Sequence, residues 1–482
     1  MHSALRVQHI ARAEAARGTH RAAFVGLLIF TLLLYMRPNE MFPEVFGDFP
    51  LTKIVAVITL LGYFGSRLLA GERLSVFPLE LRMLATITAL GIVLIPIAAS
   101  PAASVELLTD TFLKVVAIFV LLINLINTRE RLQEIMKLMV ICGSLLALFA
   151  VMSYVGGKFT TVTRGEEGTV VGLRITGIVG GIFGNPNDLA TSLDLLIPLA
   201  VALGLLRRGA ARLFYLACAT LLGLGVILTF SRGGFLGLMA MAAVLMWKVG
   251  RQNRALTALA FVAITTVFFI AMPIGYSSRI TTIFDSSSDP TGSSEARREL
   301  LERAAGVAAN HLIFGVGIGN YPIYSLHEQR AHNSYLEISA ELGVAGLLAY
   351  LVMIFAPLRS LRRIQRDSLA ARDAGGEDEA RARATYLLGA AVQASLIAYI
   401  VCSCFGSIQY LWFLYYPLAY AVCLRQMHDQ ELTVATAAPV KVKIIESRPV
   451  AVLWRPNQRR KPLSVNDERA DSAAFGHEGA QP

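Results

Sequence analysis

Long apolar runs recur from one end of this chain to the other, and they decide what it can fold into. A run of roughly 17–25 residues is long enough to cross a hydrocarbon core of about 30 Å as a helix. We read about twelve such spans, at 22–36, 51–70, 83–99, 111–127, 135–155, 187–206, 211–230, 234–249, 255–274, 335–357, 385–406 and 409–425. With 55% of residues hydrophobic and only 16% charged, the chain carries more apolar surface than a soluble fold needs. The fold class expected is all-α: a polytopic membrane protein. The first run lacks a small-residue cleavage site and leads into Arg37-Pro38, so it is read as a retained span.

The net charge of +10 is mostly topological. Arg6, Arg12, Arg17 and Arg21 fall on one side with Arg73 and Arg82, Arg129 and Arg131, and Arg207, Arg208 and Arg212. Lys248, Arg251, Arg254 and the basic set from Arg359 to Arg383 join them. Of the short loops opposite, the one after the first span carries only Arg37 and the one after the third has no basic residue. By the positive-inside rule both termini are expected in the cytoplasm. Nucleic acid is not needed to explain the charge.

Two outer segments are too long to be simple connections, Gly156–Pro186 and Tyr276–His332. Loops of that length are usually functional or disordered, and the second contains a helix-like stretch at Ser294–Asn310. The expected organisation is a cytoplasmic segment at 1–21, helices one to nine over 22–275, a large partly helical outer loop at 276–334, helices ten to twelve over 335–425, and a polar, mostly disordered tail at 426–482. The five cysteines all fall in apolar runs, and Cys402-x-Cys404 would point apart on a helix, which argues against a metal pair.

Chemistry gathers on the outer face. The stretch Phe314–Tyr350 opens with Gly315, Gly317 and Gly319, presents Arg330 and His332, and runs into an apolar helix from Asn333. Histidine as a residue type titrates near neutral pH, which makes His332 a candidate to take a proton from a hydroxyl. Phe230-Ser-Arg-Gly-Gly234 places Arg232 at the end of a span, where Gly233 and Gly234 are expected to let backbone N–H groups approach an anion beside the guanidinium. Between 294 and 310 the order Glu299–Arg303 and Arg298–Glu302 pairs charges four apart. Arg297 has no acid three or four residues away and shares a stripe with Leu301 and Ala305, so it reads as an unpaired arginine seeking an anion. Asn185-Pro-Asn-Asp188 reads first as a turn and helix cap, with Asp188 available to a sugar hydroxyl.

No tight metal-ligand spacing, nucleophilic triad or phosphate-binding P-loop is evident on that face. Arginines for an anion plus one base beside the membrane suit displacement of a lipid-bound phosphate or pyrophosphate. Arg330, Asn333, Gly233 and Asp188 are the supporting substrate-binding candidates.

At these residues the chain resembles the O-antigen ligase and polymerase family of bacterial envelope glycosyltransferases, closely over spans six to ten. The resemblance rests on Ser231-Arg232-Gly233-Gly234, on an arginine fourteen residues before His311 in the block ending at Gly317, and on His332-Asn-Ser-Tyr-Leu-Glu337. Leu301 stands where the family often has tryptophan, and Leu312 where a proline commonly follows the histidine. The resemblance implies a GT-C-like membrane enzyme of the inner membrane with its site facing the periplasm. It implies that Arg232 and Arg297 bind the pyrophosphate of an undecaprenyl-linked glycan and that His332 activates an acceptor hydroxyl, with inversion, no metal and no cofactor. The acceptor is lipid A core, a growing polysaccharide or a protein; membrane lipids are the other partners.

Two rival readings stand beside this one. A transporter or flippase for an anionic lipid-linked sugar predicts charges near mid-bilayer, for which Lys53, Lys114 and Asp194 are the candidates. A non-catalytic scaffold would use the long outer loop for docking.

Overall fold

A computed structural model of the chain describes residues 20–47, 49–157, 161–164, 170–175, 181–250, 293–325, 328–373 and 379–437. The expected span at 255–274, most of the expected disordered tail and the first part of the large outer loop lie outside the described residues. The chain divides into units 1–434 and 435–482, and the account below concerns the first.

The described residues fold as helices: α1 (Arg21–Met36), α2 (Leu51–Leu69), α3 (Leu79–Val93), α4 (Leu113–Leu125) and α5 (Arg129–Val155). A short antiparallel hairpin follows, β1 (Thr161–Arg164) and β2 (Val170–Arg174), with Thr161 opposite Arg174. Then come α6 (Pro186–Leu205), α7 (Gly209–Leu228), α8 (Arg232–Gly250), α9 (Ser293–Asn310), α10 (Ser334–Asp373), α11 (Glu379–Cys402) and α12 (Tyr415–Ala437). Among the described residues, eight helices are long and apolar enough to cross a membrane: α1, α2, α5, α6, α7, α8, α10 and α11. The spans expected at 83–99 and 111–127 are met by shorter pieces. Pro96 ends α3 early, and a π-helical turn at Leu107–Phe112 precedes α4. The all-α, polytopic class holds.

Burial sorts the helices into a core and a shell. Nearly every residue of α6 is buried, because α7, α8, α11 and α5 pack around it. Its Ala, Ser and Thr positions allow that close approach on several sides at once. By contrast α2 buries only Thr59 and Tyr63 and turns Val57, Ile58, Leu61 and Leu68 outward. An apolar face left uncovered along a whole helix is what lipid solvates. Glu80, fully buried in the first turn of α3, is met by both Nη atoms of Arg425 on α12 at 2.7 and 2.6 Å. That fork neutralises a charge the interior would not otherwise hold.

The expected spans at 385–406 and 409–425 are corrected at their junction. α11 stops at Cys402 and α12 begins at Tyr415, leaving a loop between them. Ile408, Leu411, Trp412, Phe413 and Leu414 are apolar because the loop is buried in protein, so hydropathy alone extends the spans across it. Cys404 lies in this loop and is exposed, contrary to the expectation that every cysteine sits in an apolar span.

α10 is broken about a quarter of the way along. Gly343 has φ 64° and ψ −166°, a conformation open to glycine and strained for other residues. The break frees carbonyls that the helix would otherwise use. Val316 N–H donates to the carbonyl of Ala340 at 2.9 Å, Gly317 N–H to that of Glu341 at 3.0 Å, and Val344 N–H to Leu312 at 2.9 Å. A Cβ at Gly315 or Gly343 would run into the main chain of the other segment, at Glu341 and Ile313 respectively. The glycine-rich turn of the outer segment is therefore seated in the helix by main-chain hydrogen bonds.

Candidate functional site

The first turn of α10 organises the site. Asn333 caps the helix: its Oδ1 accepts the N–H groups of Tyr335 and Leu336, both at 3.0 Å, and its Nδ2 donates to the carbonyl of Cys404 at 3.2 Å. Ser334 stitches the same turn to the α11–α12 loop. Its N–H donates to Ser403, its hydroxyl donates to the carbonyl of Gly406 at 2.7 Å, and that hydroxyl accepts the N–H of Ile408 at 3.0 Å.

One turn further on, Glu337 is 2% exposed and holds four groups. It accepts the Ala331 N–H at 3.0 Å, the Gln409 amide at 2.9 Å and the Ser407 hydroxyl, and Arg330 Nη1 stands 3.9 Å away. A buried carboxylate with this many donors is compensated within the protein. Glu341, the next turn along, accepts the Tyr410 hydroxyl at 2.7 Å and the Tyr321 N–H at 3.4 Å. The two acids clamp, in turn, the segment carrying His332 and the segment carrying the glycines.

His332 itself is half-buried with φ 51°. Positive φ is uncommon outside glycine and costs of order 1–3 kcal/mol where the surroundings impose it. Here the surroundings do: Glu337 holds the residue before it and Asn333 starts the helix after it. The imidazole is thus delivered by a strained turn locked on both sides.

His332, Arg330 and Asp188 line one cavity of about 1070 Å³. Asn185 is the N-cap of α6, with Oδ1 accepting the Asn187 N–H at 2.9 Å and Pro186 in first position. The turn-and-cap reading of this segment holds, and Asp188 reaches the cavity from the first turn of the helix. Gly406, Ser407 and Trp412 of the α11–α12 loop add to the wall. Across from them the cavity is lined by apolar residues of α1, α2 and α4, including Leu34, Val57, Leu60 and Ile118, and by Lys53 and Lys114. Lys114 has Asp110 within 3.6 Å. The cavity thus has a polar end and a long apolar wall.

Arg232 and Arg297 are not among the residues lining that cavity. Arg232 opens α8 beside it: the preceding Ser231 donates to Asn187 Oδ1 at 2.8 Å, joining the two motifs. The reason given for the neighbouring glycines is corrected. Gly234 N–H donates to Ser231 Oγ at 3.2 Å. A Cβ at Gly233 would lie 2.8 Å from Cβ of Phe405, and one at Gly234 would lie 2.6 Å from Cβ of Ala190. These glycines let α8 press against α6 and the α11–α12 loop.

α9 packs on the site through Leu300 and Ala304, which meet Tyr321, Ala331 and Ala340; the Tyr321 hydroxyl donates to the Leu300 carbonyl at 3.2 Å. The packing stripe therefore runs through 300 and 304, and Ala305 is exposed. Arg297, three residues before Leu300, is half-buried at the end of this stripe and has an interaction of its own within the chain, so the expectation of an unpaired arginine is withdrawn. Of the two expected pairs on this helix, Arg298–Glu302 is formed, at 2.9 Å and fully in water.

Sequence reasoning did not single out Glu337, Glu341, Ser407 or Gln409. A signal was present in the acids, which stand four apart inside a span where carboxylates are expensive.

A bundle of membrane-length helices with a cavity holding a histidine, an arginine and a carboxylate at one end defines a polytopic membrane protein with an enzyme-like site. Residues 216–351 match the family model described as Wzy_C: O-Antigen ligase. The match bears out the family resemblance over those residues and supports ligase or polymerase activity of a membrane enzyme in general terms. The matched segment contains Arg232, Arg297, Arg330, Asn333 and His332; Asp188 and the α11–α12 loop lie outside it. No curated protein matches the chain. A chain from a structure described as "Structural coordination of polymerization and crosslinking by a peptidoglycan synthase complex" is 19% identical, with 73% of this chain and 98% of that chain covered and a TM-score of 0.38. That likeness is too low to carry an argument.

Proposed function

We propose that the protein transfers a glycan from undecaprenyl pyrophosphate to an acceptor hydroxyl at the periplasmic face of the inner membrane, with both termini in the cytoplasm. The observation that carries this is the cavity itself. It joins His332, Arg330 and Asp188 to an apolar stretch from α1, α2 and α4 in which Lys53 and Lys114 also stand, as a donor with a sugar head, a pyrophosphate and a polyprenyl tail requires.

In this reading His332 takes the proton of the acceptor hydroxyl as its oxygen attacks the anomeric carbon. The bond from that carbon to the phosphate oxygen breaks, the configuration inverts, and undecaprenyl pyrophosphate leaves with the electron pair. Arg232 and Arg297 stabilise the pyrophosphate charge as it develops, supplying what a divalent cation supplies elsewhere. Two placements support them: Arg232 follows the residue bonded to Asn187, and α9 packs on Ala331 between Arg330 and His332. Asp188 and Arg330 contact the transferred sugar. Asn333, whose side chain caps α10, positions the histidine.

The test is reconstitution with a defined undecaprenyl-pyrophosphate glycan and separate lipid A core, polysaccharide and peptide acceptors, with and without chelator. Arg232→Ala, Arg297→Ala and His332→Ala should each abolish transfer while the protein still accumulates in the membrane. Full activity in all three overturns the proposal. Net movement of lipid-linked glycan across the bilayer without transfer would favour a transporter.

A further inference from the structure

At the end of the bundle away from His332 lies a second cavity, of about 580 Å³, with a different character. Lys248 and Trp247 from the last turn of α8 line it together with Arg359, Arg362 and Arg366 of α10. α8 starts at Arg232 beside the site, so Trp247 stands 15 residues further on, about 22 Å along the axis. From this geometry we infer that the pocket binds the headgroup phosphate of an anionic phospholipid in the leaflet opposite the His332 cavity.

Charge is the first argument. Residues 359, 362 and 366 fall at i, i+3 and i+7 and share one helix face. Arg362 and Arg366, four apart, form a like-charge pair that destabilises an isolated helix. Among the described residues no acid lines the pocket and none of the three arginines pairs with one. The nearby carboxylate is committed elsewhere: Asp367 lies 3.8 Å from Arg363 and 3.0 Å from His428.

Lys248 supplies the second argument. Its Nζ donates to Gln365 Oε1 at 2.7 Å, and Gln365, 2% exposed, donates through Nε2 to Gln393 at 2.9 Å. The Tyr386 hydroxyl donates to the Lys248 carbonyl at 3.0 Å. A buried chain of neutral amides thus fixes the lysine beside the three arginines. Three arginines on one helix face suit an anion of high charge density, and phosphate matches arginine forks.

The source of the phosphate follows from position. Trp247 is 67% exposed at the terminal turn of an apolar helix, where hydrocarbon gives way to headgroups and tryptophan is enriched. Basic pockets between membrane helices hold anionic lipid headgroups by the same physics.

Trp247 makes the test direct. The full-length protein is placed in bilayers containing brominated phosphatidylglycerol or brominated phosphatidylcholine at matched mole fraction, and tryptophan quenching is read. The Trp247→Phe protein supplies the background to subtract. Expected is a roughly tenfold preference for phosphatidylglycerol, falling to about one in the Arg359→Gln/Arg362→Gln/Arg366→Gln protein. Should that triple variant not fold, Arg362→Gln alone should lower the preference roughly fivefold, the contribution expected of one basic residue. Arg363→Gln, outside the pocket, should leave the preference intact. Equal quenching by the two lipids, or a preference that survives the substitutions, overturns the inference. So does loss of the preference in millimolar inorganic phosphate, which would identify a soluble phosphate ligand instead.

Discussion

The two ends of α10 treat charge in opposite ways. At the His332 end, Glu337 and Glu341 are buried and each accepts hydrogen bonds from the chain itself. At the other end, Arg359, Arg362 and Arg366 are exposed and face a pocket with no acid in its wall. The first arrangement makes a rigid frame in which a histidine is held at positive φ. The second leaves a recognition surface for something outside the chain. One helix therefore carries a self-compensated end that fixes geometry and an uncompensated end that invites a ligand.

Substitutions at four positions test this contrast, beginning with the largest expected effect. His332→Ala should lower transfer about 10²–10⁴-fold, the range for loss of a general base, with little change in melting temperature. His332→Gly should be as inactive and somewhat more stable, since glycine relieves the positive φ. An active His332→Gly protein would remove the imidazole from the chemistry.

Next comes Glu337→Ala, which removes the acceptor for Ala331, Ser407 and Gln409 at once. Buried donors left unmade cost about 1–3 kcal/mol each, so a clear drop in melting temperature and in the rate of transfer is expected. Glu337→Gln keeps acceptor capacity and should recover much of both. If the alanine variant melts like the wild type, the frame is not what holds the turn. Gly343→Ala attacks the frame from the helix side and should destabilise by more than about 1 kcal/mol, since alanine neither adopts that φ nor fits. An unchanged melting temperature would show that the outer segment seats without the break.

Arg362→Gln closes the series at the opposite end. With its side chain exposed, stability should move by no more than about 0.5 kcal/mol, and transfer by the purified enzyme should be untouched. A large loss of transfer would mean that the two ends are coupled.

Much of the scaffold was legible because apolar runs report membrane-length helices whatever they pack against: α5, α6, α7 and α8 lie where the runs are. The same logic misplaced the end of α11, since a loop buried in protein is as apolar as one buried in lipid. His332 was readable from its setting between Arg330 and an apolar helix. Its clamp was not, because Ser407 and Gln409 come from some seventy residues away and look unremarkable in sequence. The wall formed by Lys53 and Lys114 shows the same limit. Both lysines stood out as interior charges, but only the packing of α2 and α4 against α1 brings them to the cavity of Asp188.

The break at Gly343 has a consequence for how this protein tolerates change. The seam between the glycine-rich turn and α10 is made of main-chain hydrogen bonds from Val316 and Gly317 and a return bond from Val344. Side chains along the turn contribute nothing to those bonds, and Leu312, Ile313 and Phe314 are exposed. A saturation-mutagenesis map should therefore read as a barcode, with Gly315 and Gly343 intolerant and 312–314 permissive. Sequence there can drift toward new acceptors while the turn keeps its seat.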